Sequence, residues 1–201
     1  MKKTASTDRI RRMTGLSLLS AVVAVLTVLG NFVRFGPFPI TLALAPIIIG
    51  AAMYGASAGA ILGGVFGVVT LIGGLAGWDG GTVMYLMGIA PVACILVCVL
   101  KGVGAGWLSG LVYSAIAKKN QHIAVIVAGI VCPVVNTGLF ILGMLTFFTS
   151  ALESWANGQA LLFYVIFGLT GINFVVELAV NLVLSSGITT IIKYGKGRKS
   201  K

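Results

Sequence analysis

Residues 82–119 read TVMYLMGIAPVACILVCVLKGVGAGWLSGLVYSAIAKK. Lys101 is the one charge in this stretch before the pair Lys118-Lys119. A bilayer-spanning helix needs about 20 apolar residues, so 82–118 is too long for one straight span and long enough for two. The cations of the whole chain arbitrate. Lys2, Lys3, Arg9, Arg11 and Arg12 lie at the start; Lys193, Lys196, Arg198, Lys199 and Lys201 lie at the end. Cations concentrate on the cytoplasmic side of membrane proteins. With one span in 82–118, both termini and the 118–122 turn share that side. With two, the turn and the basic tail fall outside. One span is therefore expected, from near Ile95 to 118, with 77–94 as an outer loop or re-entrant segment. Non-helical backbone at membrane depth is tolerated only where it lines a cavity or is buried in protein.

Working outward, apolar runs predict the other helices at 13–30, 38–54, 58–76, 122–149 and 160–192. Gly, Pro, Asn and Ser clusters separate them. The run 13–30 exceeds the apolar core of a signal peptide and lacks a small-x-small cleavage site directly after it, so it reads as a retained helix. Composition agrees: 58% of the 201 residues are hydrophobic and 9% are charged, against about 25% charged in soluble domains. A soluble globule and a disordered chain are both excluded. The formal charge of +10 flanks apolar spans, which is an orientation pattern rather than a nucleic-acid surface. The expected fold is an all-α integral membrane protein: one domain over 1–201, a six-transmembrane-helix bundle, both termini cytoplasmic. Asp79, Glu153, Trp78 and Trp155 are then expected on the outer side.

Gly59, Gly63 and Gly67 recur every four residues, as do Gly102, Gly106 and Gly110. Such ridges let helix backbones approach closely, and packing within the bundle is the expected use. No Walker motif is present, so no ATPase is expected in this chain. Cys94, Cys98 and Cys132 lack metal-type spacing with histidine and read as buried thiols; no metal site or cofactor is expected. His122 sits in the basic turn. No nucleophile–base pair or His-Glu-x-x-His is present, which argues against an enzyme.

Ionisable groups inside a membrane are costly and mark functional sites. Asn173, Glu177 and Asn181 share one helix face by their four-residue spacing. Pro133, Asn136 and Thr137 interrupt the run before them, and Lys101 and Trp107 lie on the helix expected from near Ile95 to 118. These residues suit a small-molecule pocket, mostly apolar with a few placed polar groups. A structural Glu177–Lys101 ion pair, or amide bonds between helices, is the competing reading.

Three stretches resemble the substrate-binding S components of energy-coupling factor (ECF) vitamin transporters. They are Pro39-Ile40-Thr41 through Gly59-Ala60, Pro133-Val134-Val135-Asn136-Thr137-Gly138 onward, and Asn173-Phe174-Val175-Val176-Glu177-Leu178-Ala179-Val180-Asn181. The resemblance implies a substrate-binding subunit of an ATP-driven uptake transporter in the bacterial plasma membrane. It also implies a transmembrane coupling protein and two partner ATPases, which use the ATP. Ser17, Ser20, Ala21 and Ala24 on the expected 13–30 helix would meet the coupling protein. Asn136, Asn173 and Glu177 match the family's polar pocket positions, with Lys101 near its basic residue. The resemblance makes loops 31–38 and 77–94 the ones to close over the ligand, adding Arg34, Trp78 and Tyr85 as candidates. Lys101 or Arg34 suits a carboxylate and the asparagines suit amides or hydroxyls, so pantothenate is the first expectation; riboflavin follows by family similarity. The alternative is a stand-alone carrier or channel using Glu177 as a proton or ion site.

Overall fold

Helix is the only way most of this chain can satisfy its backbone polar groups in an apolar solvent, and the described residues contain no strand. The computed structural model describes residues 2–32 and 41–197, with all side chains there except those at 2–6, 8, 169–170, 172–173, 185–186 and 191–197. The helices are α1 (Lys2–Gly30), α2 (Leu44–Tyr54), α3 (Ala56–Leu75), α4 (Thr82–Ile89), α5 (Pro91–Ile116), α6 (Gln121–Phe147), α7 (Thr149–Ala156), α8 (Leu161–Phe163) and α9 (Ile172–Gly197). A π-helical stretch, Tyr164–Gly171, joins α8 to α9.

Among the described residues, Arg9–Gly30, Ala56–Leu75, Pro91–Ile116 and Gln121–Phe147 are long and apolar enough to cross a membrane. Leu44–Tyr54 and Phe174–Leu184 are shorter apolar helices. With 11 residues, α2 rises about 16 Å. The long helices turn large apolar side chains outward, among them Val25, Ile61, Val92, Leu142 and Val183. Exposed apolar side chains along long apolar helices are what lipid covers.

The glycine ridges pack within the bundle. A Cβ on Gly59 would strike the carbonyl of Gly106, one on Gly63 the carbonyl of Gly102, and one on Gly67 the carbonyl of Cys98. Residue numbers rise along α3 as they fall along α5, so the two helices are antiparallel and in backbone contact. Around this pair lies a core that includes Leu44, Ile47, Leu62, Phe66 and Val125. Arg12 Nη2 donates to Ser57 Oγ at 3.1 Å, which ties the start of α1 to the start of α3. Gly110 abuts Ala56, so the Lys118-Lys119 turn after α5 lies at that same end. The opposite end holds the α3–α5 connection and the junction of α6 with α7. A second core there includes Val83, Leu86, Cys94, Met144, Phe148 and Leu152.

Several boundaries differ from the sequence reading. Helix starts at Pro91 rather than near Ile95, because Pro at the first helical position needs no N–H partner there. The stretch 77–94 is not simply a loop; it contains a turn, all of α4 and the first residues of α5. Helix α1 begins at Lys2 rather than 13. The beginning of the expected 38–54 helix lies outside the described residues.

Asp79 lies in the turn before α4 and is 8% exposed. Its Oδ1 accepts from the Gly81 N–H at 3.0 Å and its Oδ2 from the Val83 N–H at 2.8 Å. The start of α4 leaves backbone N–H groups without helical partners, and one carboxylate satisfies two of them. Gly81 carries φ 86° at the cap, a left-handed conformation that glycine adopts without steric cost. Asp79→Ala is expected to lower stability by about 2 kcal/mol, given charge-assisted bonds of this type. Thermal unfolding in detergent measures it; an unchanged midpoint would show that the carboxylate does not hold α4.

Candidate ligand-binding cavity

The second core does not close completely against α1 and α9. Between them lies a cavity in which the space open to the centres of water-sized molecules is about 120 Å³. One water needs roughly 10–15 Å³ by that measure, so the cavity has room for a small organic molecule. It sits at the end of the bundle away from Arg12 and Lys118. Phe66 and Thr70 of α3, Lys101 of α5, Asn136 of α6 and Glu177 of α9 all reach it.

Each polar group has a distinct setting. Lys101 is placed by α5, with Cys94, Cys98 and Lys101 on one face at spacings of four and three residues. Its Nζ lies 5.2 Å from the Phe140 ring centroid and 5.7 Å from that of Phe66. Both are within cation–π range. Glu177 is 5% exposed, and its Oε1 accepts from the Thr41 N–H at 2.8 Å. The two charges thus have different protein partners, which does not favour a purely structural Glu177–Lys101 pair. Asn136 is 5% exposed, and its Oδ1 accepts no hydrogen bond among the described residues. A buried amide oxygen without a partner is costly, and a ligand N–H or O–H would satisfy it.

Three of the sequence-derived candidates, Lys101, Asn136 and Glu177, converge on the cavity. Trp107 does not line it. It is 49% exposed, because six residues beyond Lys101 place it about 120° around the helix. Tyr85 is also turned away: α4 sends Val83 and Leu86 inward, and Tyr85 packs on Trp155 with ring centroids 5.7 Å apart. Trp78 lies against Gly73 and does not reach the cavity. Arg34 and the Asn173 side chain lie outside the described residues. Asn181 is buried one turn beyond Glu177, and its Nδ2 donates to the Glu177 carbonyl at 2.8 Å.

The cavity also contains groups that sequence reasoning missed. Thr27 and Asn31 reach it from the end of α1, Asp79 and Thr82 from the α4 cap, and Phe174 from α9. Phe174 and Glu177 share a face three residues apart, a signal that was readable. Among the described residues, no group of three or more His, Cys, Asp or Glu could hold a metal ion.

A family model for the substrate-specific component of ECF transporters matches residues 11–189. The chain belongs to that family. No curated protein matches it. This ECF substrate-specific component is thus a membrane protein with transmembrane helices, and it serves transport by binding substrate. Family membership associates it with an ECF transporter module and a small-molecule substrate, in a binding rather than an enzymatic role.

Proposed function

We propose that this ECF component spans the membrane six times and captures a vitamin or related micronutrient for ATP-driven uptake. The observation that carries the reading is the buried, unpartnered Asn136 Oδ1 in a cavity shared with Lys101 and Glu177. Four long apolar helices plus the apolar segments of α2 and α9 supply the six spans. The common end of Arg12 and the Lys118-Lys119 turn is the cytoplasmic one by the positive-inside rule, which turns the cavity outward. Both termini are then cytoplasmic, in a bacterial plasma membrane.

Pantothenate is the first choice of substrate. Its carboxylate suits Lys101, and its hydroxyl and amide donors suit Asn136 Oδ1 and Glu177. Riboflavin is second. Asn173 and Arg34 are proposed to complete the site. The partners are a transmembrane coupling protein and two ATPases; this chain needs no cofactor. Ser17, Ser20, Ala21 and Ala24 form the docking stripe. In support, α1 is the least buried of the long apolar helices. Ser17 and Ala21 are exposed.

Native mass spectrometry of the purified protein tests the reading. A retained vitamin, and co-purification of a coupling protein with two ATPases, are expected. Ala21→Trp should abolish that co-purification without changing the melting midpoint, since the added ring projects from an exposed position. Uptake into vesicles lacking any ATPase, driven by a proton gradient, would instead establish a stand-alone carrier using Glu177.

A further inference from the structure

The ligand cavity has an apolar neighbour. A groove of about 640 Å³, measured as space open to the centres of water-sized molecules, runs between α6 and the start of α9. Val134 and Gly138 of α6, Phe167 of the π-helical stretch and Val175 of α9 line it. Phe167 is 63% exposed and Val175 62%, so the groove opens on the apolar outer surface of the bundle. A Cβ on Gly138 would meet nothing within 4 Å, which is a second sign of open space at this level. Its wall includes Ile166 and Phe167 of the π-helical stretch, and π-helical turns are rare and often mark functional sites.

Among the described residues, Thr137 and Phe174 line both the groove and the cavity. One belongs to α6 and the other to α9, so the wall between the two spaces crosses from helix to helix. The chemistry on its two sides differs. On the cavity side, Asn136 adjoins Thr137, and Glu177 follows Phe174 by three residues on the same helix face. Asn136 and Glu177 are each 5% exposed. On the groove side, the described lining residues other than Thr137 are apolar or glycine. Thr137 is too small to close the wall, which leaves the Phe174 ring as its bulk. Without that ring, a buried amide and a carboxyl group would face acyl chains, which offer no hydrogen bond.

We propose that Phe174 is a specificity-determining barrier: its ring keeps membrane-dissolved apolar molecules, acyl chains included, out of the cavity, so that a polar ligand reaches Asn136 and Glu177 from the outer aqueous end. The inference deepens the proposed ligand-binding role and rests on it, since a barrier has a use only beside a binding site.

The test compares two carbodiimides on the full-length protein in lipid vesicles. Dicyclohexylcarbodiimide dissolves in the bilayer; the other reagent is cationic and water-soluble. Both couple to carboxyl groups, and peptide mass spectrometry reads the modification of Glu177. The bilayer-soluble reagent should modify Glu177 slowly in the wild-type protein. Phe174→Ala should raise that rate by about tenfold or more, equivalent to about 1.4 kcal/mol of barrier removed. Phe174→Tyr keeps the ring and should react at the wild-type rate. The water-soluble reagent enters from the aqueous end and should give one rate in all three proteins. Equal rates for the wild-type protein and Phe174→Ala with the bilayer-soluble reagent would overturn the barrier. So would an equal rise with both reagents, which marks a general opening of the bundle. Calorimetry on the wild-type protein keeps the two readings apart: binding of neither pantothenate nor riboflavin would remove the proposed substrates, while the carbodiimide rates still decide the barrier.

Discussion

Asn136→Ala is expected to weaken ligand binding by more than about tenfold, or ~1.4 kcal/mol, with the fold intact. The reason is the state of its side-chain oxygen. Asn136 Oδ1 is buried and accepts nothing from the described residues, so deleting it breaks no hydrogen bond made by that atom among them. What is lost is its contact with the ligand. Glu177→Ala should lower affinity by at least as much, but through two routes. It removes a carboxyl group from the cavity wall and leaves the Thr41 N–H without its acceptor. Titration calorimetry with whichever of pantothenate or riboflavin binds the wild-type protein measures both variants, and melting midpoints separate binding from folding. Wild-type affinity in Asn136→Ala and Glu177→Ala would remove these residues from the site.

Gly63→Leu is expected to destroy the bundle. The added Cβ alone would strike the backbone carbonyl of Gly102, and neither backbone can yield without parting α3 from α5. Overpacking a yielding core costs about 1–3 kcal/mol; a clash between two backbones should exceed the upper figure. Lys101 and Phe66 lie along the same helix pair, so the cavity goes with it. Size-exclusion profiles after detergent extraction should show aggregate where the wild-type protein gives a single peak. Gly138→Ala is the contrast. Its Cβ would meet nothing within 4 Å, so the change should stay within about 1 kcal/mol of neutral, the size of the helix-propensity term. A well-behaved Gly63→Leu protein would refute the tight α3–α5 contact.

Much of this was readable from the chain. The glycine spacing implied close helix contact, and lipid-phase packing through small residues is how α3 and α5 meet. Lys101, Asn136 and Glu177 stood out because polar groups are rare in apolar runs, and that rarity reflects the cost of burying them. The capping role of Asp79 was not legible, because a lone carboxylate beside Gly80-Gly81 does not name its partners. Only the folded turn shows it satisfying the first N–H groups of α4. Trp107 and Tyr85 do not line the cavity: their residue types suit a pocket, but their helices turn them outward.

By itself, the sequence determined the membrane class and where long apolar helices fall, because hydrophobic length is a one-dimensional property. Tertiary structure decided which face of each helix is inside. In a soluble helix, an apolar stripe opposite a polar face announces the core. In lipid both faces are apolar, so α5 gives no such signal. Its rotation is set by glycines pressed against α3, and that contact turns Cys94, Cys98 and Lys101 to the cavity and Trp107 away from it.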